Sequence, residues 1–197
     1  MNGSRWTPSN RHWAAPSGVW SPPGSDGAGS TRASRVSQTP IVDAARFRRA
    51  LGRHAAGVVV VTGPGPVGMT ATSLTSVSLD PPLVSFCVNR ESTTWPGLRQ
   101  APYFAVNVLG SGQAALAARF AGRGIDRFAA PTRWRPGPHD VPILSGVTAH
   151  LVCEPYDTIA LGDHWLVVGL AVGSELGDSG EPLLYHHGRY GRFDPHT

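Results

Sequence analysis

Residues 58–88 read VVVVTGPGPVGMTATSLTSVSLDPPLVSFCV. Val58–Thr62 is an unbroken β-branched run, too short for a helix, so it predicts a buried strand. Gly63-Pro64-Gly65-Pro66 is turn chemistry. A second strand is expected through Gly68–Ser73. Asp80-Pro81-Pro82 then breaks the chain, and Leu83–Val88 predicts a third strand. Strands this close, joined by glycine- and proline-rich turns, predict antiparallel pairing.

Upstream, order is expected to begin near Ile41. Asp43 is placed to cap a helix whose Phe47, Ala50 and Leu51 follow the i, i+3, i+4 rule, with Gly57 as its end. Downstream, Thr93 or Thr94 can cap a short helix through Arg99. Tyr103–Leu109 predicts a fourth strand, and Ser111 can cap the alanine-rich segment Gln113–Ala121. Residues 122–145, rich in Gly, Pro and Arg, read as a long loop. Further strands are expected over Gly146–Glu154, His164–Gly173 and Leu183–His186. The pattern is mainly β, an antiparallel barrel or sandwich with a few short helices. No run of about 20 apolar residues is present, so a membrane span is not expected.

The chain has 197 residues, 41% of them hydrophobic, and a domain of ~150 residues buries roughly 70% of its unfolded surface. All 17 basic residues are arginine. Without lysine there is no Schiff base for pyridoxal phosphate and no phosphate-loop NTPase motif. Any bound phosphate must rely on arginine, hydroxyls and backbone N–H groups. Of the net charge of +4, residues 1–40 carry +3 (Arg5, Arg11, Arg32 and Arg35 against Asp26). The remainder is nearly neutral and its arginines are scattered, so a nucleic-acid partner is not expected.

Residues 1–40 contain 5 Gly, 8 Ser and 5 Pro, too little apolar surface to offset ordering entropy, and are expected to form a disordered extension. The segment lacks the apolar stretch of a secretory signal. Arg48-Arg49 lies too deep in the sequence, inside a helical pattern, for a twin-arginine signal. Trp6, Trp13 and Trp20 recur every seven residues, but Pro8 and Pro16 interrupt any helical stripe. That spacing is either chance or a short docking motif. Cys87 and Cys153 form no CxxC pair and read as reduced thiols of a cytoplasmic protein, with a disulfide still open.

The chemistry concentrates in Thr70–Ser78, where six of nine residues are Ser or Thr. Hydroxyls at this density can donate repeatedly to one anion, and turn-conformation N–H groups can add to them. They can equally alternate on the wet face of a strand. A second hydroxyl group, Ser92-Thr93-Thr94, precedes a short predicted helix. Two such places on one barrel fit a phosphate-bearing cofactor in a protein without lysine.

From Ile41 to Tyr190 the chain resembles the flavin reductase-like family, whose fold is the FMN-binding split barrel, an antiparallel Greek-key barrel. The resemblance rests on an ordered series: Gly68–Pro82 with Leu83–Val88, Ser92–Trp95, Phe104–Leu109, Arg119-Phe120, Asp126-Arg127-Phe128, Gly162-Asp163-His164 and Pro182–Tyr190.

It implies the following roles. Gly68, Met69, Thr70, Thr72 and Ser73 would lie along the isoalloxazine ring and ribityl chain, with Ser76 and Ser78 further along the same loop. Cys87, Val88 and Asn89 would form a strand end beside the flavin. Ser92, Thr93 and Thr94 would lie on the phosphate side, where Arg90 or Arg119 could stand in for a basic residue that some relatives carry at position 93. Arg119 and Phe120 match a flavin-contacting pair. Asn107 matches a residue near the ring or a purely structural one. Asp163 and His164 belong to a motif whose histidine lies over the flavin, where the nicotinamide stacks. Arg189 and Tyr190 would reach the nicotinamide dinucleotide, unless Arg189 is simply solvated. His186 and His187 are adjacent, so on a strand they point apart and do not suggest a metal; none is expected.

The implied activity is an NAD(P)H:flavin oxidoreductase using NADH or NADPH. It would bind FMN, with FAD possible, and supply diffusing reduced flavin to a partner flavin-dependent monooxygenase. Members are usually homodimers with the flavin near the interface. The alternatives are an enzyme that retains its flavin and acts directly on a pathway metabolite, and a flavin- or haem-binding module without turnover.

Overall fold

The computed structural model describes residues 42–177 and 180–196. The expected extension over residues 1–40 lies outside them, as do its three tryptophans. The helix α1 (Ala44–Leu51) starts where expected, with the Asp43 carboxylate accepting from the Arg46 N–H at 2.8 Å. It ends at Gly52 rather than Gly57, and none of its side chains is buried.

Strands β1 (Ala56–Gly57), β2 (Val59–Gly63), β3 (Val67–Ala71), β4 (Thr75–Leu79) and β5 (Pro82–Asn89) follow, then α2 (Trp95–Gln100) and β6 (Phe104–Val108). The third helix, α3 (Ala114–Ala121), precedes the short pair β7 (Trp134–Pro136) and β8 (Pro142–Leu144). A long hairpin, β9 (Ala149–Leu161) with β10 (His164–Leu176), is followed by β11 (Leu183–His186) and β12 (Arg189–Arg192).

Seven strands form one antiparallel sheet in the order β3-β2-β6-β9-β10-β5-β4. Its two edges, β3 and β4, are consecutive in the chain and joined only by Thr72, Ser73 and Leu74. Such a link spans at most ~14 Å, whereas seven flat strands would set the edges ~29 Å apart. The sheet must therefore curl until its edges nearly meet. The register shifts within the β9–β10 hairpin add to the local bend and twist.

The curl makes an interior. Val59, Val61, Phe86, Val88, Phe104, Val106 and Val167 fill it, and Phe86 meets Phe104 edge to face at 5.5 Å. A second cluster lies outside the sheet, where Val58 and Val60 pack with Ala117, Phe120 and Phe128. Alternate valines of one run thus point to opposite cores, which is why the run shows no polar alternation.

Several local expectations differ from the structure. Ser76 and Ser78 belong to strand β4, not to a loop, because they pair with Val84 and Leu83 of β5. Ser111 does not cap α3. A 3-10 turn over Ser111–Gln113 precedes the helix, and the Gln113 side chain accepts from the Gly110 N–H. Residues 122–145 contain β7 and β8, each with one proline that obscures a two-strand ladder. Strand β9 extends seven residues beyond Glu154, and β12 was not anticipated. The thiols of Cys87 and Cys153 are free. Among the described residues, no helix is long and apolar enough to cross a membrane.

Candidate functional site

The β9–β10 hairpin turns through Gly162 and Asp163, with Gly162 at φ +55, a left-handed conformation that favours glycine. His164 opens β10 and stands directly across from Asn89, the last residue of β5. The Arg90 N–H donates to the Asp163 carbonyl at 3.0 Å and fastens the turn to the end of β5.

The imidazole is oriented by its neighbour. His164 Nδ1 lies 2.7 Å from Asp163 Oδ1. That hydrogen bond is the main cause holding the Asp163 carboxyl below the usual carboxylate range, with a small contribution from the charge of Arg48. An ionised carboxylate only accepts, so Nδ1 carries the proton. In the neutral ring Nε2 is then a free acceptor.

His164, Asp163, Asn89 and Thr72 share one cleft of about 740 Å³. The same cleft is lined by α1 and by Tyr185–Gly188, where β11 turns towards β12. Four residues expected at the site thus come from three distant stretches of chain.

A second hollow of about 230 Å³ is lined by Gly68, Thr93, Thr94 and a residue not anticipated, Arg127. Arg127 Nη1 donates to the Gly68 carbonyl at 3.1 Å and to Thr94 Oγ1 at 2.9 Å, while its Nε and Nη2 both donate to the Gly122 carbonyl, which leaves one Nη2 N–H for the hollow. Burial pushes its pKa down. It is the cation that stands among the hydroxyls. Gly68 makes room for the Phe120 ring beneath this hollow, since a Cβ there would lie 2.8 Å from Phe120 Cε1. Its position within Asp126-Arg127-Phe128 was on view in the sequence, but one arginine in an arginine-rich loop carries no signal of its own.

Other expected contacts are committed elsewhere. The Arg119 guanidinium donates to the carbonyls of Asp126, Arg127, Ala129 and Ala130, so it braces the 126–130 loop instead of facing a phosphate. Phe120 is buried, edge to face with Phe128 at 5.1 Å, and is core rather than a flavin wall. Asn107 is fully buried; its Nδ2 donates to the Val60 carbonyl and Thr62 Oγ1, and its Oδ1 accepts from the Leu144 N–H. Of its two readings, the structural one matches this geometry.

The Thr70 hydroxyl donates to the Ala117 carbonyl at 2.7 Å. Met69 packs on the interior and the Val88 side chain lies within it. Ser73 Oγ accepts from the Cys87 N–H at 2.9 Å, closing the seam between the β3–β4 link and β5. Ser92 Oγ accepts from the Thr94 N–H at 3.3 Å. Ser78 pairs with Leu83, six residues before Asn89 along β5, which is ~20 Å of strand. Ser78 and Ser92–Thr94 therefore cannot grip one phosphate together. Arg189 and Tyr190 border a neighbouring hollow that also includes His186 and His187. Burial raises the Tyr190 pKa, and its ring packs on Tyr185. Among the described residues, no three His, Cys, Asp or Glu side chains gather as metal ligands.

A curled antiparallel sheet with an oriented histidine over an open cleft, and hydroxyls with one arginine beside it, defines a cofactor-binding β protein. The sequence profile described as "Flavin reductase like domain" matches residues 51–194, and the chain belongs to that family. It is 42% identical over 156 residues to the "NADH:FMN oxidoreductase" of Rhodococcus qingshengii, covering 76% of this chain and 81% of the relative. It is 37% identical over 158 residues to the "Flavin-dependent monooxygenase, reductase subunit HsaB" of Rhodococcus jostii, covering 78% and 80%. Among solved structures it resembles the Streptomyces globisporus "NADH:FAD oxidoreductase SgcE6 in complex with NAD and FAD fragments", with TM-score 0.74, 38% identity and coverage of 79% and 98%.

Proposed function

We propose that this chain is an NAD(P)H:flavin oxidoreductase that reduces FMN, or FAD, and supplies the reduced flavin to a separate flavin-dependent monooxygenase. The observation that carries this is the His164–Asp163 pair at the rim of a cleft shared with Thr72 and Asn89, in a chain related to NADH:FMN oxidoreductases.

The donor set fits a planar, phosphorylated group. Thr93, Thr94 and Arg127 offer hydroxyls and one charge for a phosphate. Thr72, Ser73 and the end of β5 at Cys87–Asn89 offer polar groups for a ring edge. A flavin held there supplies the hydride acceptor for the nicotinamide, so the protein needs no nucleophile of its own.

What the chain contributes is position. His164 Nε2, left as an acceptor, receives the carboxamide N–H of the nicotinamide and orients the ring. Asp163 keeps the proton on Nδ1. One arginine among neutral hydroxyls holds the flavin phosphate loosely, as a flavin that must depart requires.

The curled sheet with its seam between β3 and β4 is the split barrel. Two copies pair through exposed apolar side chains such as Val77 and Leu79 on β4 and Tyr156 and Leu161 on the hairpin. The protein works in the cytoplasm.

Purified protein mixed anaerobically with excess FMN and NADH tests the function. Sustained bleaching of free FMN is expected. Bleaching limited to one bound equivalent would mean a retained-flavin enzyme, and no bleaching with either nicotinamide would leave only a binding module.

A further inference from the structure

The cleft that holds His164 is also lined by α1, and nothing in the reaction described above uses that helix. Phe47 and Leu51 are exposed there at 52% and 56%, and both line the cleft with Arg48 between them. Arg48 is the only arginine among the lining residues. Among the described residues it makes no ion pair, although its charge reaches Asp163.

We propose that this face of α1 binds the adenylate half of the nicotinamide co-substrate, with Arg48 taking the phosphate on the adenosine side and the Phe47 ring taking the adenine. The inference rests on the reductase reading and adds a subsite to it.

Three observations favour this occupant. The surface is continuous with the rim where His164 stands, so a dinucleotide whose nicotinamide lies at His164 has its other half within the same cleft. Charge is complementary, because a guanidinium pairs well with phosphate oxygens and keeps its charge at any working pH. An exposed ring beside that cation suits a base better than a phosphate alone.

The test compares NADH with reduced nicotinamide mononucleotide, which lacks the adenosine and its phosphate. In Arg48→Gln, KM for NADH should rise roughly tenfold, the usual loss for a hydrogen-bonded charge pair. KM for the mononucleotide and Kd for FMN should not change. Phe47→Ala should show the same split more weakly. Because no side chain of α1 is buried, neither variant is expected to unfold the domain.

An unchanged KM for NADH would overturn the proposal, as would an equal rise for both donors. An unchanged KM together with a shift in oligomeric state would assign the face to a second copy of the chain. Parent protein that oxidises neither donor would sink the reductase reading itself, a failure distinct from these.

Discussion

His164 Nδ1 lies 2.7 Å from an Asp163 carboxylate whose side chain is otherwise 87% exposed. An aspartate left in water to orient one imidazole has little to do with stability, because solvent screens an exposed ion pair. Its effect belongs to the tautomer. His164→Ala should raise KM for NADH while leaving FMN titration intact, and Asp163→Asn should do the same more mildly. Equal loss of flavin affinity in either variant would show the pair to be misassigned.

The same pair sets a pH expectation. The folded-state pKa of Asp163 is depressed by His164, so the orienting bond is fully present above the ordinary carboxylate pKa of ~4 and is lost only as pH falls through the lower folded value. KM for NADH measured from pH 5 upward should show no inflection from Asp163. A carboxylate-like inflection above pH 5 would contradict the geometry.

Arg127 separates phosphate recognition from ring recognition. Arg127→Gln removes the guanidinium that meets Thr94 and Gly68. Its affinity for FMN should fall roughly tenfold or more, in line with 1.5–3 kcal/mol for a charge-assisted bond. Riboflavin, which has no phosphate, should bind variant and parent alike. Parallel loss of both ligands would make Arg127 a strut rather than a phosphate contact.

Asn107 offers the opposite outcome. Asn107→Leu deletes an amide that satisfies Val60, Thr62 and Leu144 in the interior. Leaving those groups unpaired should cost about 1–3 kcal/mol per orphan and lower Tm by several degrees. Flavin affinity of the folded variant should be unchanged. A large affinity change at constant Tm would restore the ring-side role.

The thiols should differ sharply. Burial pushes the Cys153 pKa up to about 12, and its side chain is fully buried, whereas Cys87 is half-buried at the seam. A disulfide reagent at pH 8 should titrate one thiol in the native protein and two in denaturant. Bound flavin should slow the native reaction. Two fast native thiols would contradict the packing.

Much of the barrel was legible because its signals are local. Val58–Thr62 declares a strand by β-branching, and Asp80-Pro81-Pro82 declares a break by chemistry that needs no partner. The helix α1 was found through its cap and spacing, yet its end was misplaced by five residues. Gly52 and Gly57 look alike until tertiary hydrogen bonds choose between them. The β7–β8 pair was missed because two proline-containing segments of three residues form a ladder only when held beside β6.

The sequence by itself determined where β2, β3, β5, β6, β9, β10 and β11 fall along the chain, the density of hydroxyls near Thr72 and Thr93, and the absence of lysine that makes them necessary. Only the tertiary structure decided which residues face one another. Arg119 and Arg127 are equal candidates on paper. The first donates to four carbonyls of one loop, and the second to the Gly122 and Gly68 carbonyls and to Thr94. His164 likewise meets Asn89 because β10 pairs with β5 in one register. The alternation of a strand is written in nearest neighbours. A site is written in contacts between segments dozens of residues apart, which exist only once the sheet has curled.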